Sequence, residues 1–123
     1  MNTAIIIGHI TKDAETRTVK VKGIDTLVTD FTVAANEGFG DTQRTEYFRV
    51  SIWRDRGAKL QPHLVKGRGV TVKGSVSARG WIDQNGQARA QLEMSNPTVE
   101  LIGKKPGEEG LPFVAEAETT EEA

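Results

Sequence analysis

Residues 45–53 alternate cleanly. Phe48, Val50 and Ile52 fall on one side of an extended strand, and Tyr47, Arg49, Ser51 and Trp53 fall on the other. Successive strand side chains point to opposite faces, so the two rows face different surroundings. The first row is apolar throughout and predicts a face turned to a core. The second is aromatic and basic and predicts a face turned away from it. The same period predicts an apolar strand at residues 4–10, interrupted by Gly8, and an exposed edge strand or hairpin arm at residues 17–22. A turn is expected at Gly23-Ile24-Asp25, then a strand over residues 26–35 with Leu27, Phe31 and Val33 on one face. Residues 37–44 read as a polar, glycine-rich loop with Phe39 between Gly38 and Gly40.

The helical period is found once, at residues 55–65, where Leu60 and Leu64 are four apart and Asp55 is placed to cap. Pro62 lies inside that stretch and predicts a short or bent helix. Alternation resumes over residues 70–79, with Val70, Val72 and Val76 inward and Lys73, Ser75, Ser77 and Arg79 outward; Trp81 shares the outward parity. Asn85-Gly86 predicts a hairpin turn. The return strand carries Ala90, Leu92 and Met94 inward, and a last short strand over residues 98–102 carries Val99 and Leu101 inward. Five or six strands with one short helix after the third long strand predict an all-β chain. The expected fold is a five-stranded OB-fold Greek-key barrel with long β-hairpin loops. An SH3-like barrel is the nearest competitor, but it normally lacks the helix.

Composition sets the boundaries. A hydrophobic content of 37% over 123 residues supports one domain with a modest core. The absence of cysteine excludes a disulfide framework, a zinc-thiolate site and a cysteine nucleophile. No apolar run approaches the roughly 20 residues that span a bilayer, and no basic leader precedes the first strand, so a cytoplasmic protein is expected. The net charge of -1 conceals a split. Residues 1–105 hold all 16 Lys and Arg with 11 of the 17 acids, a net +5; residues 106–123 hold the other six acids and no base, a net -6. Residues 1–103 are expected to form the OB domain, and residues 104–123 an acidic, disordered tail.

Trp81 on a polar face would ordinarily be read as a lid on the core. Taken with Phe39, Tyr47 and Trp53 it is one of four aromatics out of seven on outward faces or a loop, and only Phe31 and Phe48 are left for the core of the body. Exposed rings of this kind suit base stacking, worth about 1–3 kcal/mol per base and tolerant of any base. Arg17, Arg49, Arg54, Lys66, Lys73 and Arg79 are candidate phosphate contacts, although each alone is ordinary surface charge. His9 and His63 lack companions at ligand spacing, so no metal is expected. The glycine-rich stretch at residues 66–74 fits neither a phosphate loop nor a dinucleotide fingerprint. No catalytic constellation and no cofactor site is expected.

Five segments together resemble the bacterial single-stranded DNA-binding protein family. They are Ile7-Gly8-His9-Ile10-Thr11-Lys12-Asp13, Asp30-Phe31-Thr32-Val33-Ala34, Thr45-Glu46-Tyr47-Phe48-Arg49-Val50, Leu64-Val65-Lys66-Gly67 and Arg79-Gly80-Trp81-Ile82-Asp83-Gln84-Asn85-Gly86. The resemblance implies an OB-fold that binds single-stranded DNA as a homotetramer. It puts the base-stacking positions at Phe39, Tyr47, Trp53 and Trp81, and basic positions at Arg17, Arg49, Lys66 and Arg79. Arg54 and Lys73 have no counterpart in that pattern. The chain departs from it at Asp13-Ala14-Glu15, Pro62, Gly80 and Ala90. Leu111-Pro112-Phe113 resembles the partner-binding tip of the family's acidic tail, through which replication and repair proteins are recruited, yet ten residues follow it. The expected function is therefore non-enzymatic, sequence-independent binding and protection of single-stranded DNA in replication, recombination and repair. Two other readings stay open: a protein-docking OB accessory of a replication-restart assembly, and an RNA-binding OB domain.

Overall fold

The computed structural model describes residues 1–103. The expectations for residues 104–123, the Leu111-Pro112-Phe113 tip among them, lie outside the described residues. Six strands form one sheet: β1 Ala4–Ile10, β2 Glu15–Val21, β3 Ile24–Glu37, β4 Arg44–Trp53, β5 Gly69–Ile82 and β6 Ala88–Ile102. Among the described residues a single α-helix, α1 Asp55–Leu60, stands between β4 and β5. The strand order is β1-β5-β6-β4-β3-β2, and an additional β1–β3 pairing closes the cycle. All pairings are antiparallel except β4 with β6, which is parallel.

This is the OB-fold, and the sixth strand has a simple origin. β1 and β2 together act as one bent strand: β1 pairs mainly with β5 and touches β3 only at His9 and Ile10, whereas β2 pairs with β3 along its whole length. Gly8 sits where β1 crosses to β3. A Cβ there would lie 2.2 Å from the Ala34 carbonyl oxygen, so no larger residue fits without moving backbone. The core inside the barrel gathers Ile10, Phe31, Val33, Val50, Ile52 and Met94 with Val70, Val72, Val99 and Leu101, and Leu60 and Leu64 plug one end.

Several expectations need correction. The first hairpin turns at Lys22–Gly23, not at Gly23-Ile24-Asp25; both residues have positive φ (52° and 80°), which this tight turn requires, and Ile24 already belongs to β3. Asp55 is the first helical residue and not the cap, because the cap position is Arg54 and carries no side-chain hydrogen bond. The helix ends at Leu60 and continues as a 3-10 turn over Gln61–His63, where Pro62 is tolerated near the start. The second hairpin does turn at the expected Asn85-Gly86, within a loop that joins Ile82 to Ala88. The Gly86 N–H donates to the Asp83 carbonyl at 3.0 Å with Gly86 alone at positive φ, and Asp83 Oδ1 accepts from the Asn85 and Gln87 amides. The return strand and the last short strand are one continuous β6, because a bulge opposite Gly74 absorbs Asn96 and Pro97 between the Ser75–Ser95 and Lys73–Thr98 pairs. Ala90 is exposed and not inward-packed, since β5 and β6 overshoot the barrel there and their former core side faces solvent.

Candidate nucleic-acid interface

The alternation along β4 builds the site. Val50 and Ile52 are buried and Phe48 packs against the same core, so Tyr47, Arg49, Ser51 and Trp53 point outward. The pairing register carries that outer face across neighbouring strands. Trp53 lies in a row with Val28 and Arg17, and Ser51 in a row with Asp30 and Glu15. On the other side Gln91 Nε2 donates to the Tyr47 carbonyl at 3.0 Å, Gln91 pairs with Arg79, and Arg89 pairs with Trp81. Tyr47 and Trp53 are six residues apart on one strand, a separation of about 20 Å.

Exposure divides the rings into two populations. Phe39 is 91% exposed, Tyr47 53%, Trp53 42% and Trp81 39%, whereas Phe31 is 4% exposed. Phe39 is carried at the β3–β4 loop, ahead of a 3-10 turn at Gly40–Thr42. Its carbonyl accepts from the Thr42 hydroxyl at 2.8 Å and the Thr42 amide at 3.0 Å. The bend needs Gly38, which has φ 89° and would place a Cβ 2.5 Å from the Thr42 carbonyl oxygen. Trp81 sits on the projecting β5–β6 arm, where the Arg79 guanidinium lies over its ring at 4.8 Å from the centroid.

The six candidate bases are not equally placed. Arg17 Nε donates to Asp30 Oδ2 at 2.9 Å, and Arg49 Nη2 donates to the same oxygen at 3.3 Å. The Ser51 hydroxyl donates to Asp30 Oδ1 at 2.6 Å. Burial pushes the Asp30 carboxyl up, but the Ser51 and Arg17 hydrogen bonds and the Arg49 and Arg17 charges outweigh it. The net effect holds Asp30 below the usual carboxylate range. Arg79 pairs with Glu93 at 3.2 Å. Arg54 adjoins Trp53 at the start of α1, and Lys66 follows the 3-10 turn, exposed, with its amide donating to Asp13 Oδ1 at 2.8 Å. Lys73 lies opposite Ile5 and Thr98, at the end of β5 away from Trp81, so the fold does not gather it with the rings.

Among the described residues no group of three or more His, Cys, Asp or Glu is placed to hold a metal. Among the same residues no helix is long and apolar enough to cross a membrane.

The model of the single-strand binding protein family matches residues 1–102. The chain belongs to this family. A single-stranded DNA-binding protein of Thermotoga maritima is 31% identical over 126 residues, covering 98% of this chain and 87% of the relative. The protein of the same name in Treponema pallidum is 29% identical, covering 84% of this chain and 58% of the relative. That of Deinococcus radiodurans is 26% identical, covering 94% of this chain and 38% of the relative. The chain thus spans little more than half of the Treponema protein and well under half of the Deinococcus one. The solved structure of a Plasmodium falciparum SSB complex with ssDNA has a TM-score of 0.66 at 23% identity, covering 83% of this chain and 95% of that one, which supports the shared fold.

Within this family member, sequence reasoning missed three polar groups on or beside the face. Asp30 is the acceptor that ties Arg17 to Arg49. Lys12 joins them around a hollow of about 220 Å³. Arg89 stands beside Trp81 in the register, held by Asp83 at 3.0 Å. Asp30 shares outward parity with Thr32 and Val28, which was the available signal; its two arginine partners come from strands paired across space.

Proposed function

We propose that this protein coats single-stranded DNA without regard to sequence and protects it during replication, recombination and repair. The carrying observation is the sorting of the rings: four are exposed on one outer face and its flanking loops, while the core is built mainly from aliphatic side chains. Bases stack on Phe39, Tyr47, Trp53 and Trp81, and phosphates meet Arg17, Arg49, Arg54, Lys66 and Arg79, while Lys73 lies away from the rings. The binding is non-enzymatic. The names of the Thermotoga, Treponema and Deinococcus relatives and the ssDNA in the Plasmodium complex support the same ligand class. The reading puts the protein in the cytoplasm, with the DNA. It assembles as a homotetramer; Ile5 and Ile7, 62% and 65% exposed on β1, support self-association. Recruitment of replication and repair proteins falls to Leu111-Pro112-Phe113.

Two of the proposed platforms are tryptophans, so intrinsic fluorescence reports directly. Oligo-dT is expected to quench it strongly and to bind far more tightly than duplex DNA of equal length. Equal affinity for duplex would point to a protein-docking surface, and preference for RNA of equal length to an RNA-binding domain. Light scattering of the full chain is expected to give four copies.

A further inference from the structure

β4 stops at Trp53, but its partner β3 does not. Trp53 pairs with Val28, and the preceding part of β3, from Ile24 to Leu27, is paired only with β2 as it leaves the Lys22–Gly23 turn. The chain turns aside at Arg54, whose φ of 68° and ψ of -158° lie in a region that glycine occupies and residues bearing a Cβ avoid. Its amide donates to the Leu27 carbonyl at 2.7 Å, which locks the bend. The step left where β4 ends is a groove of about 690 Å³. Its apolar lining is Val21, Ile24 and Leu27, and its cations are Lys22 and Arg54.

Three features distinguish this groove from ordinary surface. First, Val21 and Ile24 form the next outward pair but one beyond the Arg17–Val28–Trp53 row, so that wall of the groove continues the aromatic face, while Asp25 and Leu27 come from the opposite parity. Ile24 is 68% exposed there. Second, the Lys22 and Arg54 side chains make no hydrogen bond or ion pair with the described residues, whereas Arg17, Arg49 and Arg79 are all engaged by carboxylates. The two carboxylates in the lining are Asp25, held by Lys20 at 2.9 Å, and Asp55, so the cations outnumber the acid left to oppose them. Third, a strained non-glycine residue survives where something other than folding stability retains it, and such residues collect at ligand clamps.

We propose that this groove is a further nucleotide subsite that extends the single-stranded DNA path past Trp53 toward the β2–β3 turn. Arg54 and Lys22 each take a phosphate, and Ile24 and Val21 form the floor for the base or sugar between them. The strain at Arg54 is the cost of holding a guanidinium at a position whose backbone suits glycine. The proposal rests on the reading that the outer face binds single-stranded DNA.

Arg54→Gly separates strain from charge, because glycine accepts the backbone and lacks the guanidinium. The variant is expected to melt at a higher temperature than wild type and yet bind oligo-dT about twofold to fivefold more weakly at low salt, the size of an exposed charge pair. Its log–log salt slope should be shallower by about 0.7, one phosphate contact. Lys22→Asn keeps a residue tolerant of positive φ and should lose a second contact of the same size. Lys59→Gln removes an exposed charge elsewhere and should leave the slope alone. Tryptophan quenching should persist in all three variants, since the platforms are intact. Unchanged slopes in both groove variants, or an equal change with Lys59→Gln, would overturn the subsite and leave the aromatic face standing. Loss of oligo-dT binding by wild type would instead remove the reading beneath it.

Discussion

Asp30 accepts hydrogen bonds from Arg17, Arg49 and Ser51, and it does so in the middle of the proposed DNA face. Its side chain is only 12% exposed, so the two guanidinium groups supply the compensation that water no longer gives. In the folded protein its pKa is depressed. A carboxyl whose folded pKa lies below its unfolded one stabilises the fold above the unfolded value. That contribution disappears as pH falls through the folded value. Asp30→Asn is therefore expected to lower stability at neutral pH by about 1 kcal/mol, held to that size because both arginines remain substantially exposed. The gap to wild type should close as pH drops from about 5 to about 2. Thermal unfolding midpoints at graded pH check this. A gap that stays constant with pH would assign the loss to altered packing and not to ionisation.

The β5–β6 hairpin joins two roles in one element. Its lower part pairs Val70 and Val72 with Leu101 and Val99 in the core, and its upper part leaves the barrel with Trp81 on the outward side. Trp81→Ala should therefore leave the melting temperature close to wild type while weakening oligo-dT binding by about 1–3 kcal/mol. A matching loss of stability would show that Trp81 serves as a core lid. The strands themselves were legible from alternation, as was the division of β4 into a core row and an aromatic row. What alternation does not contain is where a ladder outlives its core. Ala90 keeps the inward parity of Leu92 and Met94, but the register carries it past the end of the barrel. Nor does it reveal a bulge: residues 95–97 look like a break because one proline interrupts the period, yet the backbone re-enters register by Thr98. The strained bend at Arg54 was hidden for a related reason. An arginine carries no signal of positive φ, and only the pairing of β3 and β4 shows that the chain must turn there.

At the scale of the molecule, charge is distributed against itself. Residues 1–105 carry a net +5 and residues 106–123 a net -6. The proposed DNA face supplies much of the positive charge, and part of it is already answered internally: Asp30 engages Arg17 and Arg49, and Glu93 engages Arg79. A phosphate backbone must therefore compete with fixed carboxylates on the face, and we propose that it also competes with the six acids of residues 106–123. The two kinds of competitor respond differently to salt. The fixed pairs lie within hydrogen-bond distance and are only weakly screened. Attraction between opposite net charges acts at long range and fades as the Debye length falls below about 10 Å near 0.1 M salt. Removing residues 106–123 should accordingly tighten oligo-dT binding at low salt and make the log–log salt dependence steeper. The two proteins should converge as salt approaches roughly 0.5 M, where that long-range attraction is gone. Fluorescence titrations of both proteins across a salt series measure this. Identical affinities at the lowest salt would mean that the negative charge at residues 106–123 does not reach the basic face.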